Sequence, residues 1–248
     1  MAELSALTIE HVARFDPTRY ELEAYPKLGG AYASELELSD ILRLSGSGSA
    51  FLEVGVGTGR VFHRLADQSA LAVGLDPDAR MVRHVANRMK STGKSGPSNV
   101  NLLVADGEHL PFKESFFDVV VCIRVLRYFN QPKKAVGDMC RVLKPKGRLV
   151  LEFANILRPQ TLFQIPQYLT RGEFYPRLFV RADVEEWVSS QGMQIEEVLG
   201  WHKVPVEVLG HANNQPFLHA LIGIESILQR ASPPQFLSRS LVLSATKT

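Results

Sequence analysis

The sequence predicts an α/β fold built on a doubly wound, mostly parallel sheet. Three observations predict it. Apolar runs of strand length recur along the chain with helix-patterned segments between them. Several of these runs end on acidic or glycine-bearing turns. The first, Phe51 to Val54, opens directly into glycines at 55, 57 and 59. Strands alternating with helices are the pattern of a parallel sheet covered on both faces.

The stretch Phe-Leu-Glu-Val-Gly-Val-Gly-Thr-Gly at 51–59 is the most informative. Gly55, Gly57 and Gly59 reach dihedrals closed to other residues, and amides at the start of the next helix point outward. Spacing selects the ligand. A dinucleotide turn reads G-x-G-x-x-G, its third glycine packing helix on strand. Here the glycines alternate, position 60 is Arg, and Glu53 stands two residues before the first glycine. A carboxylate beside the ligand suits a cationic group better than a pyrophosphate. The stretch resembles motif I of the class I S-adenosylmethionine-dependent methyltransferases, in which an acidic residue precedes G-x-G-x-G. A Gly-rich turn without ligand has the same local pattern, so the following elements decide.

The second strand, Ala70 to Leu75, ends at Asp76, 21 residues after Gly55. That matches the offset at which an acidic residue receives ribose hydroxyls. Asp76-Pro77-Asp78 then opens a helix, since Asp caps free amides and Pro suits the first turn. Val82, Val85, Ala86 and Met89 repeat along it as a core stripe. Met81 lies one step off that stripe, where padding the adenine and filling the core are equally good readings. The resemblance places Asp76, Pro77 and Met81 around the nucleoside.

A third strand, Asn101 to Ala105, delivers Asp106-Gly107-Glu108-His109-Leu110-Pro111-Phe112. This resembles the Asp-x-x-x-Leu-Pro-Phe segment of small-molecule methyltransferases. The likeness implies that Asp106 meets adenine N6 while Gly107 and Glu108 complete the cofactor set; His109 reads as a surface or loop-packing residue. Phe117 to Ile123 is a β-branched fourth strand whose last residue, Ile123, joins that set. A helix starts at Gln131-Pro132, with Ala135, Val136, Met139, Val142 and Leu143 on its apolar face, and ends at Lys144-Pro145-Lys146-Gly147. Gly147 to Phe153 is the fifth strand. The turn is similar to the family's Leu-Lys-Pro-Gly-Gly, with Lys146 replacing the first glycine, a departure far from the cofactor.

The resemblance runs in order over residues 50–154, weakening to about 200. It implies seven strands in the order 3-2-1-4-5-7-6 with the last antiparallel, one domain over 1–248, and S-adenosyl-L-methionine as cofactor with S-adenosyl-L-homocysteine as product. Residues 1–46 would form a helical N-terminal lid, in which Ala31 to Leu44 is helix-patterned and Tyr20 or Tyr25 reaches the cofactor or packs the lid onto the body. Residues 47–154 are the cofactor-binding half and 155–248 the substrate-side half. The latter contains a Pro- and aromatic-rich insertion at 155–177, too apolar for a linker. Helices over Arg181 to Gln191 and Pro216 to Gln229, and strands over Met193 to Leu199 and Ser238 to Ala245, complete it. Ligands in such sheets bind beyond the carboxyl ends of the strands, where strand order reverses.

Composition narrows the class further. Lys plus Arg total 28 against 26 Asp plus Glu, a net charge of +2, and basic residues are scattered. That is not the balance of a protein gripping nucleic-acid phosphates, so none is expected as partner. Cys122 and Cys140 read as core residues in a reducing compartment, without metal spacing. No signal-peptide layout and no membrane-length apolar run is visible, so a cytoplasmic protein without a membrane span is expected.

An activated methyl needs alignment and dryness more than a nucleophile. Polar candidates near it follow the fourth strand: Arg124 and Arg127, and Tyr128 with them. Arg124 would orient an anionic acceptor, or pair with Glu53 or a surface carboxylate. His202, Glu207 and His211 in the late loop would supply a base, although solvated loop roles fit them better. There is no Asn/Asp-Pro-Pro-aromatic tetrad, no Pro-Cys nucleophile, no third cysteine and no acidic cluster for Mg²⁺. The acceptor left by these exclusions is a small molecule, lipid-like or aromatic, methylated at O, N or C. An RNA or protein methyltransferase, and a non-catalytic cofactor-binding partner subunit, are the alternatives.

Overall fold

The strand segments join into one sheet because most of them are apolar on both faces. The computed structural model describes residues 16–17, 27–91, 99–171, 177–204, 208, 212, 214–231, 233 and 236–248. In chain order the elements are α1 (Lys27–Ser45), β1 (Ala50–Val54), α2 (Arg60–Ala66), β2 (Leu71–Asp76), α3 (Ala79–Ser91), β3 (Val100–Val104) and β4 (Phe117–Cys122). There follow α4 (Pro132–Val142), β5 (Leu143–Ala154), α5 (Ile165–Arg171), α6 (Arg181–Ser189), β6 (Met193–Trp201), α7 (Gln215–Ala231) and β7 (Ser240–Lys247).

The sheet order is β3-β2-β1-β4-β5-β7-β6. The first five strands pair in parallel, and β7 runs antiparallel to both β5 and β6. The order and the antiparallel last strand are those the resemblance implied. Strand alternation then divides the core. Phe51, Val119, Val121 and Val150 pack against Leu38 and Ile41 of α1, Phe62 and Leu65 of α2, and Val85 and Met89 of α3. Leu52, Val54, Val120, Cys122 and Leu149 face the other way, onto Val136 and Met139 of α4 and Val184 and Val188 of α6. Strand order reverses at β1, flanked by β2 and β4, so the crevice of this fold opens at their carboxyl ends.

Four details depart from the sequence reading. Met81 is buried in line with Val85 and Met89, at four-residue spacing, while Val82 and Ala86 are only half-buried. The helix is thus rotated so that Met81 belongs to its buried stripe. Strand β5 starts at Leu143, not Gly147, because Leu143 already pairs with Phe117 before the Lys144–Gly147 turn bulges out and pairing resumes at Arg148. Lys146, at the family's glycine position, has φ +63°. The 155–177 insertion folds locally into a 3₁₀ turn (Pro159–Gln164) and the short helix α5, yet Leu162, Phe163 and Leu169 are exposed, Phe163 by 86%. These three side chains are therefore not spent on core packing.

Both cysteines are buried free thiols. Burial is the main cause that drives their ionisation out of reach, pushing Cys140 up to about 12 against the Lys247 charge and Cys122 higher still, where Glu152 and Glu53 add to the effect. Among the described residues no helix is long and apolar enough to cross a membrane. Among them, too, no group of three His, Cys, Asp or Glu is placed to hold a metal.

Candidate functional site

Strand β1 is buried along its whole length and carries Glu53 one residue before its carboxyl end. Beyond Val54 the amides of Gly55 and Val56 both donate to the Leu75 carbonyl at 2.8 Å, so the turn folds over the end of β2. Gly55, Gly57 and Gly59 have φ of +79°, +51° and +83°, the left-handed region that glycine enters without strain. They need it for different reasons. A Cβ on Gly55 would lie 2.3 Å from Val125 Cγ2, whereas one on Gly57 would meet nothing within 4 Å. Gly55 is demanded by packing; Gly57 borders open space. Gly59 is the N-cap of α2 and presents no side chain there.

Asp76, 8% exposed at the end of β2, ties the turn to the second strand. Its Oδ2 accepts from the Gly57 amide and its Oδ1 from the Asp78 amide, each at 2.9 Å. Burial pushes its carboxyl up to about 6, against the pull of those two amides. Asp78, not Asp76, caps α3: its Oδ1 accepts from the Arg80 amide at 2.8 Å, and its carboxylate pairs with the Arg80 guanidinium at 2.7 Å. Pro77 joins the two acidic residues.

Glu53 is the unusual group. It is 3% exposed, and its buried Oε2 has no hydrogen-bond partner among the described residues. Burial raises its carboxyl well above the usual range; the Arg60 charge works against this and that of Asp76 with it. A buried, partnerless acceptor beside a glycine turn is the position a donor-bearing cation would fill.

The loop after β3 closes the other side. Gly107 is pressed between β1 and the β4 loop, so that a Cβ there would lie 2.7 Å from Val54 Cγ1 and 2.9 Å from Phe129 Cζ. This seats Asp106 next to the turn. Its Oδ1 accepts from the Glu108 amide at 2.9 Å, leaving the carboxylate partly exposed. Glu108 itself is turned elsewhere: both its oxygens accept amides at the start of α4, from Asn130 and from Gln131. It caps that helix, and its side chain is unavailable to a ligand in the crevice. His109 is half-exposed, with Nδ1 3.5 Å from Asp106 and Nε2 2.7 Å from Lys134 Nζ, as expected of a surface histidine. Met81 and Ile123 are buried near the ends of their elements.

The structure separates the acceptor-side candidates. The Arg124 amide donates to Glu152 Oε2 at 2.9 Å with φ +65°, and Arg127 Nη2 pairs with Glu152 Oε1 at 3.0 Å. Arg124 thus pairs through its backbone with an interior carboxylate that the sequence reading did not single out. Tyr128 lies half-buried in the 3₁₀ turn Leu126–Tyr128. His202 is not a solvated loop residue: it is 3% exposed, and its Nε2 is 2.9 Å from Glu37 Oε1. Glu37 also pairs with Arg60 Nη2 at 2.8 Å. Glu37 sits on the buried stripe of α1, four residues from Ala33 and from Ile41, and that spacing was the available signal. Tyr20, Tyr25, Glu207 and His211 lie outside the described residues.

Sheet order, the glycine turn and the acidic ends of β1 and β2 are those of the Rossmann-like fold of class I methyltransferases. Residues 52–151 match the family model described as a methyltransferase domain. Among curated relatives, the ubiquinone/menaquinone biosynthesis C-methyltransferases UbiE of Pseudomonas paraeruginosa and Stutzerimonas stutzeri are 40% and 38% identical over 120 residues. Each alignment covers 46% of this chain and 46% of the relative, so the chain spans about half the length of the curated relatives it matches. Among solved structures, magnesium protoporphyrin IX methyltransferase of Synechocystis, with bound S-adenosyl-homocysteine, aligns with TM-score 0.65 at 17% identity over 98% of this chain and 100% of that one. The N-methyltransferase NodS of Bradyrhizobium japonicum, also with S-adenosyl-homocysteine, aligns at 0.63 and 17% over 99% of both.

Proposed function

We propose that this chain transfers a methyl group from S-adenosyl-L-methionine to an O, N or C atom of a small-molecule acceptor. The observation that carries the reading is the buried, partnerless Glu53 Oε2 beneath a glycine turn whose central member, Gly57, faces open space. The cofactor's methionine tail bears an ammonium that suits Glu53. Its ribose hydroxyls suit the remaining lone pairs of Asp76, and its adenine the loop from Asp106 to Gly107, with Ile123 and Met81 as apolar walls. Tyr20 is kept as a lid candidate. When bound, the cofactor supplies an electrophilic methyl, and the protein's part is to hold it, exclude water and align an acceptor. The names of the curated relatives favour carbon methylation of a quinone-type precursor as the particular acceptor chemistry.

Calorimetry tests the cofactor step, with S-adenosyl-homocysteine and NADH as competing titrants. Binding of the first alone is expected; preference for NADH would end the proposal. Screening metabolite extracts for acceptance of labelled methyl then identifies the acceptor.

A further inference from the structure

A buried charge cluster beside the glycine turn has no part in cofactor binding as proposed. Arg60 follows Gly59 directly and opens α2. Its guanidinium pairs with Glu37 Oε2 at 2.8 Å, and Glu37 Oε1 meets His202 Nε2 at 2.9 Å. The side chains of Glu37 and His202 are only 6% and 2% exposed. Burial opposes ionisation of Glu37, but the hydrogen bond from His202 and the charges of Arg124 and Arg60 prevail and hold its carboxyl well below the usual range.

That ionisation fixes the histidine's tautomer. A carboxylate only accepts, so Nε2 of His202 carries a proton, and Nδ1 is the ring nitrogen through which a proton can be taken up. Of the two ring nitrogens it is Nε2 that Glu37 engages. The backbone supports a special role. His202 and Arg124 are non-glycine residues with left-handed φ, +56° and +65°. Each stands just past the carboxyl end of its strand, β6 and β4, which run in the same direction. Strained backbone held by its surroundings concentrates where side chains must be aimed. Among the described residues, the charged groups next along the chain and packed on it are Lys203 and Glu225. Lys203 turns its ammonium to the Leu228 and Pro233 carbonyls, and Glu225 accepts the amides of Lys203 and Val204.

We infer that His202, aligned by Glu37, is the proton acceptor for a substrate bearing an ionisable hydroxyl, a phenol or enol. The inference rests on the proposed methyl transfer and names its acceptor class. In the step, the O–H bond of the acceptor breaks, its electron pair stays on oxygen, and the proton moves to His202 Nδ1. The imidazolium so formed keeps Nε2–H on Glu37, whose charge balances it. Glu37 is a positioning residue, acting through the ring. Removing the hydroxyl proton raises the nucleophilicity of the oxygen and of ring carbons conjugated with it, without a metal.

The probe is 4-nitrophenol, whose anion alone absorbs strongly in the visible, added to protein saturated with S-adenosyl-homocysteine. Bound probe is expected to ionise at lower pH than free probe, by about tenfold in its ionisation constant, one pKa unit. His202→Gln should return the band to the free-solution titration, and Glu37→Gln should leave it between the two. A wild-type band that follows the free probe, or a shift that survives His202→Gln, overturns the inference. Should His202→Gln fail to fold, the imidazole ring-proton resonances of wild type decide instead. They must report protonation when the anion binds, and an unchanged shift overturns the assignment. Calorimetry run in parallel separates the two levels: no binding of S-adenosyl-homocysteine sinks the proposed function, whereas binding without the spectral shift sinks only this inference.

Discussion

Asp76 reaches across the end of the sheet to accept a hydrogen bond from the Gly57 amide at 2.9 Å, so the second strand's carboxylate holds the glycine turn in shape. The same carboxylate is raised to about 6 by burial. A ligand that donates two hydroxyls to Asp76 binds its ionised form, so below pH 6 binding must first displace a proton. The Asp76 share of the affinity for S-adenosyl-homocysteine is expected to be flat above about pH 7 and to weaken by up to about tenfold per unit below pH 6. Glu53, also raised, acts in the same direction. Stability moves oppositely. The folded state holds the Asp76 proton more tightly than the unfolded chain, so this group's contribution is lost as pH rises through 6. Asp76→Asn should flatten its share of the affinity profile, as calorimetry at a series of pH values will show; an unchanged slope would count against the ribose role.

Two glycines of one turn separate packing from binding. At Gly55 a methyl would collide with Val125 at 2.3 Å on top of the left-handed backbone, so Gly55→Ala should destabilise the fold itself. At Gly57 a methyl meets no protein atom, and only the backbone strain remains, about 1–2 kcal/mol. Gly57→Ala should therefore keep a cooperative melt near that of wild type yet lose most of its affinity for S-adenosyl-homocysteine. Normal affinity in a folded Gly57→Ala protein would falsify the placement of the cofactor over this turn.

The fold of residues 50–154 was legible because its signals are local: each strand ends on the residue it delivers, and turn chemistry fixes where that residue stands. The positions of Glu53, Asp76 and Asp106 at or just past the ends of their strands could be read that way. The acceptor side was not, because its polar contacts join residues far apart in the chain. Glu37 and His202 are 165 positions apart, and Arg124 and Arg127 meet Glu152 more than 20 residues on. The stripe of α3 was misplaced for a smaller reason: several one-residue rotations of the helix give an apolar stripe, and only packing against the sheet chooses among them.

Lys146 occupies a turn position where the backbone has φ +63°, which costs a side-chain-bearing residue about 1 kcal/mol and glycine little. Lys146→Gly is therefore expected to stabilise the protein by up to about 1 kcal/mol, less the extra entropy glycine brings to the unfolded chain. The turn lies at the amino ends of the strands, away from the crevice, so cofactor affinity should not change. A lowered urea midpoint would mean that the lysine side chain contributes more than its backbone strain costs.

Glu152 stands on β5 with 1% exposure and satisfies two groups of the β4 loop, the Arg124 amide at 2.9 Å and the Arg127 guanidinium at 3.0 Å. Arg127 is itself only 12% exposed, and its buried Nε has no hydrogen-bond partner among the described residues. Removing the carboxylate would strand a largely desolvated cation, which in buried pairs costs about 3–5 kcal/mol. Glu152→Ala should accordingly fall in that range by urea unfolding. The double variant Glu152→Ala with Arg127→Met should recover much of the loss, because the uncompensated charge is gone. The Arg124 amide stays unpaired in both, so the double variant should keep a residual defect of about 1–3 kcal/mol, the cost of a buried donor without an acceptor. A single variant within 1 kcal/mol of wild type would instead mean that water or a rearranged loop takes over both contacts.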